Sequence, residues 1–194
     1  MSVRQTFARR PLLVGLLFQG MLIPLALGLA LLFGLAPWSG LDFSVRAVAT
    51  GILGTLPPLV GIWWLSRLNL PSWRKLEILV RDLVVRLFAR ARTGAVAATA
   101  MLAGVSEELL FRGVLQVGLT ELMTPFWGIL IAAVLFGLAH YVNTLYFLVA
   151  TAMGLYLGAV YHLTGNLLVV ILIHALYDWI AIRAYLPGAR ASGR

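Results

Sequence analysis

Six ionisable side chains lie in apolar runs of the second half of this 194-residue chain, in a pattern able to activate water. Glu107 and Glu108 adjoin each other in AVAATAMLAGVSEELLFRG, with Arg112 one helical turn after Glu108. His140 closes LIAAVLFGLAH, and His174 lies in VVILIHALYDW with Asp178 one turn on. A charge at bilayer depth is costly unless paired or solvated, so an acidic pair in such a run is a functional candidate. On a helix Glu108 and Arg112 are i,i+4 neighbours and can neutralise each other as a structural pair. Glu107 points about 100° away from Glu108 and has no basic residue at the spacing that would pair it. Either histidine taken alone reads as a hydrogen-bonded core residue. Glu107, His140 and His174 on three different spans are satisfied together at least cost if their polar ends meet inside the bundle. A desolvated carboxylate beside two imidazoles suits general-base activation of water, and fixed dipoles can stabilise the negative charge that follows. The same Glu107, His140 and His174 set also resembles a zinc site with an open water position. No compact HExxH pair fixes two ligands on one helix, which favours a general base without an obligatory metal.

The elements that must hold these residues are membrane helices. With 61% hydrophobic and 11% charged residues and a mean hydropathy of +0.96, the chain has too little polar surface to cover a soluble globule. A span needs about 20 apolar residues. Six spans are expected, at about 11–36, 47–65, 94–118, 126–142, 145–162 and 166–182, in a single all-α membrane domain covering 1–194. The segment 71–92 carries Leu76, Leu79, Val80, Leu83, Val84 and Leu87 at helical spacing among Arg74, Lys75, Arg81, Arg86, Arg90 and Arg92. It predicts an amphipathic helix on the cytoplasmic interface, starting near Pro71. Arg4, Arg9 and Arg10 precede the first span, and Arg183, Arg190 and Arg194 follow the last. The positive-inside rule then sets both termini and the interfacial helix in the cytoplasm. The net charge of +8 is thereby assigned to topology and anionic lipid, and no nucleic-acid partner is expected. A continuous helix from about Gly94 to Met123 would be roughly 45 Å long and must tilt, bend or begin outside the hydrocarbon core. The absence of cysteine excludes disulfides, thiolate metal sites and a cysteine nucleophile. A cleaved signal peptide is not expected, since the first apolar run is too long and lacks a small-residue cleavage site.

Other conspicuous residues have structural explanations. Pro24, Pro57 and Pro58 are expected to kink spans, and Gly154 with Gly158 forms a GxxxG pair suited to close helix packing. His162, before Thr164-Gly165-Asn166, reads as interfacial. The six tryptophans mostly fall near span ends, as an aromatic belt would. Ser106 adjoins Glu107 but lacks a GxSxG elbow that would mark it as a nucleophile.

Taken together, Glu107-Glu108-Leu-Leu-Phe-Arg112 resembles the EExxxR motif of the CAAX-protease and bacteriocin-processing (CPBP or Abi) intramembrane proteases. Phe136 to His140 resembles that family's FxxxH motif, and His174 to Asp178 its HxxxN/D motif; the resemblance covers about 90–182, the catalytic core it implies. It implies an intramembrane endopeptidase in which Glu107 activates water, His140 helps hold it, Glu108 and Arg112 form a supporting pair, and His174 with Asp178 stabilises the oxyanion or completes the polar site. Asparagine at position 178 could donate to an oxyanion, whereas ionised Asp178 is acceptor-only and must be protonated, orient His174, or serve otherwise. The family has been described both as zinc-dependent and as glutamate-type. The implied partner is a membrane-associated peptide or protein, and the chain's brevity and lack of organelle signals point to a bacterial inner membrane. The competing explanation is a non-enzymatic transporter or bacteriocin-immunity protein using the acid and histidine cluster as a proton relay or binding site. Inverted repeats would mark a transporter, and no convincing repeat is present.

Overall fold

In a computed structural model the described residues, 11–186, are almost entirely helical. In chain order the helices are α1 (Pro11–Phe33), α2 (Val45–Gly54), α3 (Leu56–Arg67), α4 (Pro71–Phe88), α5 (Thr93–Glu108), a π-helical segment (Leu109–Gln116), α6 (Val117–Leu122), α7 (Pro125–Ala139), α8 (Thr144–Thr164) and α9 (Leu167–Tyr185). Five stretches are long and apolar enough to cross a membrane: Pro11–Phe33, Val45–Arg67, Thr93–Leu122, Thr144–Thr164 and Leu167–Tyr185. The protein is an all-helical integral membrane protein. Of the basic residues used for topology, Arg4, Arg9, Arg10, Arg190 and Arg194 lie outside the described residues.

Three of the expected spans differ in detail. The second is two helices, α2 and α3, interrupted at Thr55. Pro57 and Pro58 stand in the first turn of α3, where missing N–H groups leave no intrahelical bond unmade. Thr55 closes α2 by donating its N–H to Ile52 and Leu53 carbonyls and its hydroxyl to the Gly51 carbonyl. The fourth, α7, has only 15 residues and stops at Ala139 rather than running to 142. Its end is fixed by His140, whose N–H and ring Nδ1 both engage the Phe136 carbonyl, at 3.2 and 2.8 Å. The third is the long helix expected from its length, and it widens into π geometry directly after the acidic pair, a distortion frequent at functional sites.

On α4 the inward face is Trp73, Leu76, Val84 and Phe88, with Val80 and Leu87 partly buried, while Leu79 and Leu83 face outward. Trp73 is therefore buried against the rest of the bundle. Val84 and Phe88 cluster with Leu12 near the start of α1 and with Trp179, Ile182 and Leu186 around the end of α9. The basic helix and both ends of the described chain thus share one end of the bundle. At the other end Asn166 caps α9 and exchanges hydrogen bonds with the backbone of Asp42.

Glycines set the closest helix approaches. A Cβ at Gly104 would stand 2.9 Å from the Ile171 carbonyl oxygen, so only glycine lets α5 lie this close to α9. A Cβ at Gly154 would meet the Cα of Ala133 at 2.9 Å, so the GxxxG pair on α8 packs against α7 as its spacing predicts. Gly154→Ala is expected to cost about 1–3 kcal/mol, because the atom it would meet first is backbone and cannot move aside. A lowered unfolding midpoint in detergent is the measurement.

Candidate active site

All six residues singled out in the sequence converge. The small-residue contact at Gly104 sets the end of α5 beside α9, so Glu108 faces His174. Glu108 Oε1 accepts from Arg112 Nη1 at 2.9 Å and from His174 Nδ1 at 2.7 Å. Arg112 is fully buried; it also donates to the Gly154 carbonyl at 3.1 Å and lies 4.6 Å from the centre of the Phe136 ring. Gln116, one turn on, donates to the Gly158 carbonyl at 2.9 Å. Close packing of the GxxxG face thus brings its carbonyls within reach of the polar edge of the π segment. The expected Glu108–Arg112 pair is present, and it is shared with His174 on α9.

Glu107 turns to the other side. Its Oε1 accepts from Gln19 Nε2 on α1 at 2.6 Å. Its Oε2 is buried with no hydrogen-bond partner among the described residues. That oxygen is 3.4 Å from His140 Nε2 and 3.9 Å from His174 Nε2. Asp178 Oδ2 lies 3.5 Å from His174 Nε2. His140 and Asp178 side chains are 28% and 30% exposed while Glu107 is 6%, so the cluster opens on the His140 and Asp178 side.

The partners of each ring settle its tautomer. His140 Nδ1 faces a carbonyl and His174 Nδ1 faces a carboxylate already paired with Arg112, so both Nδ1 atoms carry the proton. In the neutral His140 ring Nε2 then presents a lone pair, whereas His174 Nε2 faces the Glu107 and Asp178 carboxylates at 3.9 and 3.5 Å, which favour a second proton there. Two acceptors, Glu107 Oε2 and His140 Nε2, therefore stand 3.4 Å apart, and the group that bridges them is a donor, of which water is the smallest.

Phe136 binds the arrangement together. Its ring packs edge-on against Phe111 and His174, at 5.1 and 5.9 Å between centres, and tilts over His140 at 4.4 Å. The residue missing from the sequence reading is Gln19. The available signal was that it is the one polar side chain in the run from Pro11 to Phe33.

Zinc is the metal such a donor set suggests. A tetrahedral ion about 2.1 Å from each ligand holds its ligands about 3.4 Å apart. The Glu107–His140 separation meets this, the 3.9 Å Glu107–His174 separation exceeds it, and Gln19 occupies the other carboxylate oxygen. Among the described residues no group of three or more His, Asp and Glu side chains is arranged to hold a metal ion. As they stand, these donors do not fit zinc.

Neither the curated proteins nor the solved structures compared with the chain gave a match. A family model does: residues 89–180 match the type II CAAX prenyl endopeptidase Rce1-like family, over a segment that carries all six clustered residues. Residues 89–180 of this chain are thus similar to the Rce1-like protease family, in agreement with the CAAX-protease and bacteriocin-processing resemblance of its three motifs.

Proposed function

We propose that the protein is an intramembrane endopeptidase that hydrolyses a peptide bond of a membrane-associated peptide or protein, with Glu107 as general base. The observation that carries this reading is the buried, unpartnered Oε2 of Glu107 facing His140 Nε2 and His174 Nε2. A water held there donates one hydrogen to Glu107 Oε2 and the other to His140 Nε2. As it attacks the scissile carbonyl, one O–H bond breaks, its proton passes to Glu107, and the carbonyl oxygen takes the negative charge. His174 lies between the Glu108 and Asp178 carboxylates. Carrying a proton on each nitrogen, it donates Nδ1–H to Glu108 and turns Nε2–H to the oxyanion. Asp178 then supports that second proton, a role open to an acceptor-only side chain. Collapse breaks the C–N bond, and Glu107 returns its proton to the leaving amine.

Glu108 and Arg112 take no proton in this scheme. They fix His174 from below and keep the net charge of the buried cluster small.

The test is cleavage of a membrane-anchored peptide by purified protein in detergent, before and after exhaustive chelation, with elemental analysis of the active sample. Turnover is expected to survive chelation and to be indifferent to added zinc. Stoichiometric zinc that is lost and regained together with activity would overturn the metal-free mechanism and leave the protease reading in place.

The same reading orients the chain with α4 and both termini in the cytoplasm, supported by the arginines of 74–92 and by the packing of α4 against Leu12 of α1 and Trp179, Ile182 and Leu186 around the end of α9. Reporter fusions after Arg92 and at the C-terminus are expected to give cytoplasmic signals. An extracytoplasmic signal at either would overturn the orientation.

A further inference from the structure

We propose that Gln19, on α1 and outside the segment matched by the protease family, is a positioning residue that holds one oxygen of the Glu107 carboxylate so that the other faces the two imidazoles. The inference rests on Glu107 being the base. An amide in an apolar span must find a hydrogen-bonding partner, because the hydrocarbon offers none. Gln19 is the only polar side chain between Pro11 and Phe33, and it points at the acid pair: Nε2 donates to Glu107 Oε1 at 2.6 Å. The orientation of its amide follows from this bond, and on the other side Ser106 Oγ is 3.4 Å from Gln19 Oε1. A flipped amide would turn its oxygen toward a carboxylate oxygen and lose the bond to Glu107.

The consequence for Glu107 is geometric. The last torsion of a glutamate side chain is broad, so a carboxylate held at neither oxygen rotates freely. Holding Oε1 on Gln19 leaves Oε2 on the side of His140 and His174. Packing keeps the donor in place: Ala26 and Ala30 of α1 are wholly buried in a cluster with Leu110, Phe111 and Val114 of the π segment. The first span thereby contributes to the site a group that the family's matched segment does not contain. Ser106, fully buried beside the acid pair, is within reach of both the Gln19 amide oxygen and the Ala103 carbonyl.

Gln19→Met keeps the length of the side chain and removes the donor. Gln19→His replaces it with another N–H donor on a side chain of similar reach. Both are compared with wild type and with Glu107→Gln for kcat, KM and unfolding midpoint in detergent. Gln19→Met is expected to lose roughly tenfold or more in kcat, with KM and midpoint close to wild type, because a donor to a charged acceptor is missing only where the chemistry happens. Gln19→His is expected to recover most of that loss. A wild-type kcat in Gln19→Met would overturn the inference. So would a loss that follows a lowered midpoint and is shared by Gln19→His, which would make Gln19 a packing clasp between α1 and α5. If Glu107→Gln itself cleaves at the wild-type rate, the base assignment fails. If it is inactive while Gln19→Met is unimpaired, only the positioning role fails.

Discussion

Glu107→Gln is expected to lower turnover roughly a thousandfold while leaving the fold intact, the scale on which a positioned general base acts. The substitution preserves size and shape, and a glutamine oxygen can still accept from Gln19 Nε2 as Glu107 Oε1 does at 2.6 Å. What is lost is the basic oxygen facing His140 and His174. Substrate affinity and the unfolding midpoint are therefore expected to stay near wild type, and a cleavage assay paired with thermal unfolding in detergent measures both. Cleavage at the wild-type rate would show that another group activates the water.

The neighbouring acid is expected to behave in the opposite way. Glu108→Gln removes the one carboxylate that serves Arg112 and His174 at once, in a site where Arg112 and Glu108 are 1% and 0% exposed. Breaking a buried pair from one side leaves an uncompensated charge, so a loss of about 3–5 kcal/mol in stability is expected. Its signature is a large fall in unfolding midpoint, with activity following the folded fraction. The double variant Glu108→Gln with Arg112→Met is expected to regain part of that stability, since it removes the stranded charge as well. A Glu108→Gln protein as stable as wild type would show that Arg112 is sustained by the Gly154 carbonyl and the Phe136 ring without its carboxylate. Two adjacent residues of one type thus have separable expected effects, one on rate and one on folding.

The polar cluster was legible in the linear chain because the membrane makes buried charge conspicuous. Glu107, Glu108, Arg112, His140, His174 and Asp178 stand out against apolar runs, and the cost of isolating each in hydrocarbon argues that they meet. They do. The GxxxG pair was legible for a similar reason: with no side chain at Gly154, its backbone is free to approach α7.

Other features depend on which helix lies beside which, and local pattern carries no record of that. The apolar face of α4 was read as Leu76, Leu79, Val80, Leu83, Val84 and Leu87, and hydrophobic spacing alone cannot say which part of an amphipathic surface the bundle will cover. The bundle buries Leu76 and Val84 together with Trp73 and Phe88, and leaves Leu79 and Leu83 exposed. The early end of α7 is set by a ring nitrogen on the Phe136 carbonyl, a bond that a sliding view of hydropathy does not contain.

Composition and patterning alone determined that this is a helical membrane protein, that its ionisable residues gather, and that Glu108 pairs with Arg112, since each follows from solvent cost or from spacing along one helix. Tertiary structure decided the rest. It set Glu108, and not Glu107, on His174 Nδ1, left Glu107 Oε2 facing two imidazole nitrogens, and brought Gln19 from 88 residues away to hold the other oxygen. Those choices belong to the packing of α1, α5, α7 and α9 against one another, where a hydrogen bond is formed or missed over distances of an ångström that no sequence interval records.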